Sequence, residues 1–489
     1  MNNDLLTVLI LLVIINFLIL ISWGLKKILT FLPISVPRKF LHVTAIMIAA
    51  SSYLLVNNSI YLYVLGFLIL GGNYFLVKKE VFEEKDPNKK NLGVFFVPIT
   101  YLILLFAFDK YREIAMFSLL VMAFSDGIAS IMGEFFTVKP YSLGKAKKSF
   151  SGSFAFWLTT LAIFYWATLM LPGSDKFTNI YSYPDIFIFA FFFATVLTLI
   201  EALCYFGFDN LFVPLLASIM LFIIFNTNHD TFSATQLLIS SVLVLAVVTI
   251  SAYAKFLTKD GIVAASVVGL LIFGFGGLKW AIPLVAFFFL SSILSKMTKS
   301  SGVIFEKGSR RDAFQVFANG GIPLVLLLIY LIDKNEIFYI LYLTALATAT
   351  ADTWATEFGS MKKQKTISIV TLNEIPQGTS GGISLFGTFG GFLGAVLILL
   401  SGIYWINSNL LVNSVLIVLF GFLGMFIDSL IGATLQRKNI CQVCGKETEL
   451  NYHCGKPTKF HIGIKFLDND SVNFLAIMFS VILLFFFTV

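Results

Sequence analysis

The chain has 489 residues, of which 58% are hydrophobic and only 12% are charged, and it carries a formal net charge of +7. That composition leaves too little polar surface to cover a water-soluble globule of this length, so a soluble protein is excluded. Apolar runs of about 17 to 25 residues recur from end to end, and each can cross about 30 Å of hydrocarbon as a helix. The sequence predicts an all-α, polytopic integral membrane protein with about sixteen transmembrane helices in two domains.

The first apolar run, residues 5–21, has no basic segment before it and no small-residue cleavage site after it. It is therefore predicted to be a retained span rather than a signal peptide. All but five of the 34 Lys and Arg residues fall in loops that strict alternation places on one side of the membrane. Because basic loops stay in the cytoplasm, that side is predicted to be cytoplasmic and both termini external. The net charge is then a topology signal, and no nucleic-acid partner is expected.

Two features of the first half combine charge with apolar surroundings. Arg38, Lys39 and His42 precede the second apolar run, where they can hold a polyanion together, although they are also typical of a positive-inside anchor with an interfacial His. Asp126 lies within the apolar run 115–136, where an unpaired carboxylate costs about 3 kcal/mol or more. Such a residue is usually functional, although the small residues around it also suit tight helix packing.

A loop of cations and small residues, 145–153, opens the next apolar run. Helix N-termini and Gly-rich turns suit phosphate because their N–H groups point outward and the helix dipole favours negative charge. The spacing is not that of a P-loop, so only the residue types indicate phosphate binding here. Glu201, Asp209 and Asn210 close this half of the chain and offer further oxygen ligands for Mg²⁺.

These features resemble the phytol and dolichol kinase family, membrane enzymes that transfer the γ-phosphoryl group of CTP, or of another nucleoside triphosphate, to an isoprenoid alcohol. The resemblance covers roughly residues 30–225. It is carried by residues 38–42, Asp126 with Ala129 and Gly133, residues 148–153, and Asp209 and Asn210 with Pro214. Ser125 and Glu134 depart from the family pattern, which has Gly and often a basic residue there, and this leaves the nucleotide open.

The second half carries acidic and Gly/Ser motifs of its own. Asp352 and Glu357 are five residues apart at the end of one apolar run, and this spacing still allows them to share a metal ion. Further carboxylates near Asp428 and Asp470 are predicted on the same membrane face, opposite a Lys/Arg-rich loop, and so are not explained as solvated surface. Because the motifs differ from those of the first half in order and residue type, the halves are predicted to be two different domains, 1–235 and 236–489.

This second half resembles the membrane-protein family that includes the plant phytyl-phosphate kinase, over about residues 240–489. The matching segments are 311–316, 318–320, 352–357, 378–384, 428–433 and 468–473. The resemblance implies phosphorylation of a prenyl monophosphate to the diphosphate. Fusion of two such domains would keep the monophosphate in the bilayer, beside the second site, at a high effective concentration.

Cys441, Cys444, His453 and Cys454 fall in one predicted cytoplasmic loop, while Cys204 lies alone in a span. A disulfide is not expected in that reducing compartment. The four residues offer enough ligands for a structural Zn²⁺, although an adjacent His and Cys make an awkward chelate and a metal-free loop is the alternative. Catalytic zinc is not expected, because the loop is apart from the acidic motifs in sequence.

With both resemblances, the sequence predicts a bifunctional isoprenoid kinase. It converts a prenol of the phytol, farnesol or geranylgeraniol class through the monophosphate to the diphosphate, using Mg²⁺ and CTP or ATP. It is placed in the plasma membrane of a prokaryote, with both sites facing the cytoplasm.

The predicted catalytic residues are Asp126, Asp209, Asp352 and Glu357. The predicted nucleotide- and phosphate-binding residues are Arg38, Lys39, His42, Lys147, Lys148, Ser149, Gly152, Arg310, Arg311, Asn319, Gly378, Thr379, Ser380 and Gly381. The predicted Mg²⁺ ligands are Asp126, Asp209, Asn210, Asp352, Glu357, Asp428, Asp468, Asn469, Asp470 and Asn473.

Two other functions fit parts of the same pattern. A cytidylyltransferase that forms a CDP-lipid would need the same ligands and would differ only in which phosphate is attacked. A transporter would also suit many spans in two halves. Its charges would lie at mid-bilayer depth, however, whereas most charges here lie at one predicted face.

Overall fold

A computed structural model of the chain describes residues 3–28, 35–78, 92–136, 138–226, 232–299 and 310–488. Helices make up most of it, and short strands pair in small antiparallel sheets between them. The predicted class, an all-α polytopic membrane protein, is confirmed. The chain divides into two compact units, Met1–Leu238 and Ile239–Val489, which we call unit 1 and unit 2.

The expected number of about sixteen spans is not confirmed. Within the described residues, eleven helices are long and apolar enough to cross a membrane, and two shorter apolar helices accompany them. One reason is that two of these eleven stretches are counted once although each is broken. Gly93–Phe135 spans 43 residues and contains several helical segments, and Lys259–Thr298 spans 40 residues with non-helical backbone at Gly277. Another is that the helix Ile337–Met361, which is rich in Ala and Thr, is not among the eleven.

Unit 1 is a helical bundle with one hairpin at its charged face. Its helices are α1 (Asn3–Ile28), α2 (Ser35–Leu55), α3 (Ser59–Lys78), α4 (Gly93–Phe108), α5 (Arg112–Leu120), α6 (Gly127–Phe135), α7 (Phe150–Met170), α8 (Ser174–Ile180), α9 (Tyr183–Leu203) and α10 (Asp209–Asn226). A π-helical turn, Val121–Asp126, joins α5 to α6, and such turns often occur at functional sites. The hairpin pairs β1 (Pro140–Leu143) with β2 (Ala146–Ser149) and leads from α6 into α7.

The later helices of the chain are α11 (Ala234–Tyr253), α12 (Lys259–Lys299), α13 (Ala313–Asp333), α14 (Ile337–Met361), α15 (Leu385–Gly402), α16 (Leu410–Thr434) and α17 (Asn469–Thr488). The strands of unit 2 are β3 (Ile367–Ser368), β4 (Gly382–Ile383), β5 (Lys438–Ile440), β6 (Glu447–Thr448), β7 (Tyr452–His453), β8 (Lys456–Pro457) and β9 (Lys459–Ile462). β3 pairs with β4, β7 pairs with β8, and β6, β5 and β9 form a three-stranded sheet in that order. All these pairs are antiparallel.

Helix α14 is the centre of unit 2, because α12, α13, α15, α16 and α17 all pack against it. Glycines on its neighbours permit a close approach. A Cβ on Gly394 of α15 would lie 3.0 Å from the Thr350 carbonyl oxygen, and one on Gly421 of α16 would lie 2.5 Å from Ala347 Cβ. Small residues of this kind let membrane helices pack backbone to backbone. Asp352, two residues beyond Thr350 on α14, is therefore held inside a tightly packed bundle.

Candidate functional site

In unit 1, Asp126 at the end of the π-helical turn lies against two basic side chains of α2. Lys39 Nζ donates a hydrogen bond to Asp126 Oδ2 at 2.7 Å, and His42 Nε2 lies 3.5 Å from the same oxygen. Lys39 and His42 are three residues apart on a helix, so they share one face. The structure thus brings together three residues that the sequence predicted for the site. Arg38 belongs to α2, but its side chain lies outside the part that the structure describes.

Lys148 on β2 connects this group to two more carboxylates. Its ammonium donates to Glu201 Oε1 on α9 and lies 3.6 Å from Asp209 Oδ2 on α10. Burial acts to lower the pKa of Lys148, but the two carboxylates outweigh it and raise the pKa above its ordinary value, so Lys148 stays a cation. Lys148 also interacts electrostatically with Asp126, which makes these residues a single charged cluster.

Glu201 is only 4% exposed, and its Oε2 has no hydrogen-bond partner among the described residues. A buried carboxylate oxygen of this kind is costly unless a further cation or donor occupies the space next to it. The carboxylates of the cluster therefore fit a divalent cation, which hard oxygen ligands prefer.

Three other predicted residues of unit 1 have local structural contacts. Ser149 caps α7 by accepting a hydrogen bond from the Gly152 amide at 3.2 Å. Asn210 is buried, and its side-chain amide donates to the Gly93 carbonyl of α4 at 3.0 Å. Lys147 is exposed on β2.

In unit 2, the central feature is a carboxylate pair formed by Asp352 on α14 and Asp428 on α16, whose side chains are within hydrogen-bond reach of each other. Two carboxylates this close repel each other unless a proton or a cation lies between them. Asn473 of α17 completes the group, since its amide, oriented to satisfy both neighbours, donates to Asp428 Oδ2 at 3.0 Å and to the Asn469 carbonyl at 3.2 Å. Rotation of the Asn473 amide by 180° would present its oxygen instead, so two carboxylates and an amide oxygen supply ligands that fit Mg²⁺.

Glu357 lies further along α14 and has different partners from Asp352. Its carboxylate accepts a hydrogen bond from Thr298 Oγ1 at the end of α12. It also interacts electrostatically with Arg311, which is 8% exposed. Burial lowers the pKa of Arg311 to about 10, so the guanidinium is still protonated at neutral pH.

The backbone and two rings fix the position of Arg311. Its amide donates to the Phe256 carbonyl at 2.9 Å, and its carbonyl accepts from the Thr258 amide at 3.0 Å. The guanidinium carbon lies 4.9 Å from the centre of the Phe287 ring and 5.6 Å from that of Phe288, within cation–π range. A buried cation held in this way is prepared to receive an anion.

A cavity of about 110 Å³ lies against Arg311, between α11, α12 and α13. Its lining is apolar except for Ser251, Arg311, Gln315 and Asn319. Such a lining suits a ligand with an apolar chain and an anionic head. Arg310 is exposed and instead lines a separate cavity with Lys255 and Lys296.

The predicted phosphate loop 378–381 folds against the end of α16. Ser380 Oγ donates to Gln436 Oε1 at 2.8 Å, and Thr379 Oγ1 donates to the Pro376 carbonyl at 2.7 Å. Gly378 and Gly381 have φ values of +86° and +81°, which favour glycine. The loop therefore contacts the helix that carries Asp428.

The Asp-Asn-Asp motif before and within α17 has a capping role as well. Asp468 Oδ1 accepts hydrogen bonds from the amide and the hydroxyl of Ser471, at 3.0 and 2.8 Å. Asp470 lies in the first turn of α17. One oxygen of Asp468 is thus engaged at the helix N-terminus.

The two units share a local geometry around their acidic helices. In unit 1, Gly133 follows Asp126 by seven residues and faces the start of α7. A Cβ on Gly133 would lie 2.9 Å from Ser149 Oγ and 3.6 Å from Gly152 Cα. The helix with Asp126 therefore touches the capped N-terminus of the helix that follows the hairpin.

Unit 2 repeats this arrangement. Gly359 follows Asp352 by seven residues, and a Cβ on it would lie 3.3 Å from Ser384 Oγ and 3.7 Å from Gly387 Cα. Ser384 caps α15 by accepting from the Gly387 amide at 3.2 Å, as Ser149 caps α7. Two short antiparallel strands, β3 and β4, again lie between the two helices, although residues 369–381 separate them instead of a tight turn.

The correspondence continues along the chain. A later helix in each unit has a carboxylate of the site: Glu201 on α9, which follows the short helix α8, and Asp428 on α16. The next helix begins with an Asp-Asn pair, residues 209–210 for α10 and 468–469 for α17. The two halves are predicted to be different domains because their motifs differ, and this part of each unit nevertheless has a common local geometry.

Sequence reasoning missed Thr298, Gly359 and Glu449. Glu449 interacts electrostatically with Asp428 and lies in the loop between α16 and α17. Gly359 could have been found from the sequence, because it follows Asp352 by seven residues just as Gly133 follows Asp126 by seven. Thr298 and Glu449 had none, because their contacts join residues far apart in sequence.

The fold and these clusters define a multi-pass integral membrane protein with acidic sites in both of its units. Residues 242–481 match the family described as integral membrane protein DUF92. A Methanocaldococcus jannaschii relative, uncharacterized membrane protein MJ0933, is 32% identical over 221 residues, covering 43% of this chain and 88% of that protein. The chain belongs to the DUF92 family of integral membrane proteins.

Two plant relatives extend the comparison. Protein PGR of Arabidopsis thaliana is 27% identical over 275 residues, covering 50% of this chain and 93% of that protein. Protein VTE6, chloroplastic, also of Arabidopsis thaliana, is 24% identical over 230 residues, covering 45% of this chain and 62% of that protein. No solved structure matches the chain.

Proposed function

We propose that the chain phosphorylates an isoprenoid alcohol twice, the alcohol in unit 1 and the resulting monophosphate in unit 2. The observation that carries this proposal is the geometry common to both units, in which an acidic helix touches the Ser-capped N-terminus of the helix that follows two antiparallel strands. Successive phosphorylations are the same reaction on two acceptors, so they call for two sites of one design. The resemblance of each half to prenol and prenyl-phosphate kinases supports the same assignment.

The difference between the units matches the difference between the two acceptors. A prenol is neutral, whereas its monophosphate is an amphiphile with an anionic head. Unit 2 has the buried guanidinium of Arg311 beside an apolar cavity. Arg311 would hold the monophosphate head while the prenyl chain lies along the cavity and the lipid.

In each transfer an acceptor oxygen attacks the γ-phosphorus of the nucleoside triphosphate, the bond from that phosphorus to the β-γ bridging oxygen breaks, and a nucleoside diphosphate leaves. In unit 1 the hydroxyl proton must also leave, and Asp126 is the carboxylate that we assign to accept it. In unit 2 the acceptor is an already ionised phosphate oxygen, so no base is required. Lys39 and Lys148 in unit 1, and Arg311 in unit 2, offset the negative charge of the phosphate groups.

Both reactions require a divalent cation, and the donor sets fit Mg²⁺. Asp352, Asp428 and Asn473 would hold it in unit 2, and Glu201 with Asp209 in unit 1. When bound, Mg²⁺ neutralises charge on the transferring phosphoryl group. The basic loops support the assignment of both sites to the cytoplasmic face, and the plasma membrane of a prokaryote stays a proposal.

Purified full-length protein, incubated with a prenol and with CTP or ATP labelled at either the α or the γ position, tests this function. Label from the γ position should appear first in the monophosphate and then in the diphosphate. Transfer of the α label to lipid would instead show a cytidylyltransferase. Prenol uptake into vesicles without any labelled lipid product would show a transporter.

A further inference from the structure

A β-ribbon, residues 435–467, joins the two helices that carry Asp428 and Asn473. Its base is held by backbone hydrogen bonds. The Arg437 amide donates to the Leu467 carbonyl at 2.8 Å, and the Ile464 amide donates to the Leu435 carbonyl at 2.9 Å. The ribbon is therefore fixed to both helices at its base, and the question is what orders its outer part.

The outer part has little apolar material to bury. Strands β6, β7 and β8 have two residues each, all four residues of β9 are exposed, and Tyr452 is 69% exposed. Strands this short do not hold together without packing or a cross-link. Small modules of this kind are commonly ordered by a metal ion.

Four side chains with ligand atoms converge there. One atom from each of Cys441, Cys444, His453 and Cys454 lies within 4.8 Å of the others. His453 Nδ1 lies 3.5 Å from Cys444 Sγ and 3.2 Å from Cys454 Sγ. The Val443 amide donates to Cys441 Sγ at 3.4 Å, as expected for a sulfur that carries negative charge.

The backbone explains how the adjacent His453 and Cys454 can both serve as ligands. Cys454 has a φ of +52° and Gly455 one of +73°, so the chain reverses sharply at this point. Gly445, which follows Cys444, has a φ of +70°. A left-handed backbone is costly for a residue other than glycine and persists only where the surroundings enforce it. The two tight turns, one after each ligand pair, bring the pairs together.

We propose that Cys441, Cys444, His453 and Cys454 bind one structural Zn²⁺, which orders the outer part of the ribbon between α16 and α17. Three thiolates and one imidazole form a closed set for a tetrahedral ion, with no open position for a substrate. Soft sulfur ligands select zinc over the Mg²⁺ of the acidic sites. The assignment of this zinc site does not rest on the kinase function proposed above.

The test uses full-length protein purified without chelator and without a metal-affinity tag. Elemental analysis should find about one zinc per chain, as a single four-ligand site requires. The double variant Cys441→Ser/Cys444→Ser should lose it, whereas Cys204→Ser, the matched control in unit 1, should keep it. Cobalt exchanged into the wild-type protein should give the visible and near-ultraviolet bands of tetrahedral cobalt bound to thiolates.

A second variant covers the case in which the double variant does not fold. His453→Cys creates a four-cysteine site, so it should keep zinc and shift the cobalt spectrum. Absence of metal from the wild-type protein, iron in place of zinc, or equal zinc in the Cys441→Ser/Cys444→Ser variant would each overturn the proposal.

Discussion

Lys39 Nζ lies 2.7 Å from Asp126 Oδ2, although the two residues are 87 positions apart in the chain. This ion pair joins the start of α2 to the end of the π-helical turn, so it fixes a carboxylate that lies within an apolar run of unit 1. The equivalent position in unit 2 is Asp352, whose neighbour is the acidic Asp428 rather than a lysine. The two sites therefore have the same arrangement of helices but differ in the charge around the central carboxylate.

This difference predicts a division of labour. Asp126→Asn should reduce prenol phosphorylation by about 10²- to 10⁴-fold, the range for loss of a proton acceptor, and leave conversion of added monophosphate unchanged. Asp352→Asn should do the reverse, because it removes a carboxylate of the metal site in unit 2. Each step is measured separately, with prenol or prenyl monophosphate as the only acceptor. Loss of both steps in either variant would mean a single shared site.

The close contact between α14 and α15 predicts a stability effect. A Cβ on Gly387 would lie 2.8 Å from the Ala355 carbonyl oxygen, so Gly387→Ala should separate the helices and destabilise the protein by about 1–3 kcal/mol. Gly321→Ala is the control, because nothing lies within 4 Å of the Cβ position there. Thermal unfolding in detergent should give a lower midpoint for Gly387→Ala only. Equal midpoints for the two variants would contradict the close packing.

Arg311 predicts a specific loss of affinity. Arg311→Ala should raise the KM for the prenyl monophosphate at least about tenfold, since a charged hydrogen bond contributes about 1.5–3 kcal/mol, and should leave prenol kinetics unchanged. Arg311→Lys should restore little, because a lysine lacks the planar fork that binds phosphate through two donors. The control is Lys365→Ala, which removes an exposed lysine 3.8 Å from Glu374. An equal rise in KM for both acceptors would show that Arg311 has no role in acceptor choice.

The basic loops predict the membrane orientation. Reporters inserted at positions 145, 363 and 446 should be found in the cytoplasm, and reporters at 175 and 406 outside. Enzymatic activity or protection of the reporter gives the side directly. A motif loop found outside would be separated from cellular nucleotide, and the kinase proposal for that unit would fail.

The membrane class could be read from the sequence because it depends on composition and on the length of apolar runs, which are local properties. The number of spans could not be read in this way. Hydropathy alone does not show where a long apolar stretch such as Lys259–Thr298 turns, or whether the Ala- and Thr-rich α14 crosses the membrane. Lys39 and His42 were predicted to bind phosphate and Asp126 to act in catalysis and metal binding, and the structure brings these three side chains together.

The side chains that contact each site residue were harder to predict from the sequence. Asp352 and Glu357 were paired because they are close along one helix, yet their contacts run to Asp428 and to Thr298, on other helices. The common geometry of the two units was hidden for a related reason. It depends on contacts between a glycine on one helix and a capping serine on the next. The residue types around those positions differ between the two halves.

Glu449 gives the last prediction, which links the ribbon to the acidic pair of unit 2. It follows β6 directly, and its neighbour Leu450 is fixed by hydrogen bonds from Asn439 and Thr458 to its carbonyl, at 3.1 and 2.6 Å. Because Glu449 adds negative charge near Asp428, Glu449→Gln should weaken Mg²⁺ binding. Monophosphate phosphorylation should then require several-fold more Mg²⁺, while prenol phosphorylation should not change.

Glu447→Gln is the matched control, since Glu447 is an exposed carboxylate on the same ribbon, 3.6 Å from His461. It should leave the Mg²⁺ requirement of both steps as it is. Removal of zinc by a chelator, followed by excess Mg²⁺, should reproduce the effect of Glu449→Gln, because a disordered ribbon no longer holds Glu449 near Asp428. If chelation leaves the Mg²⁺ requirement of the wild-type protein unchanged while Glu449→Gln raises it, Glu449 is positioned by the base of the ribbon alone. If neither treatment changes it, Glu449 has no part in the metal site.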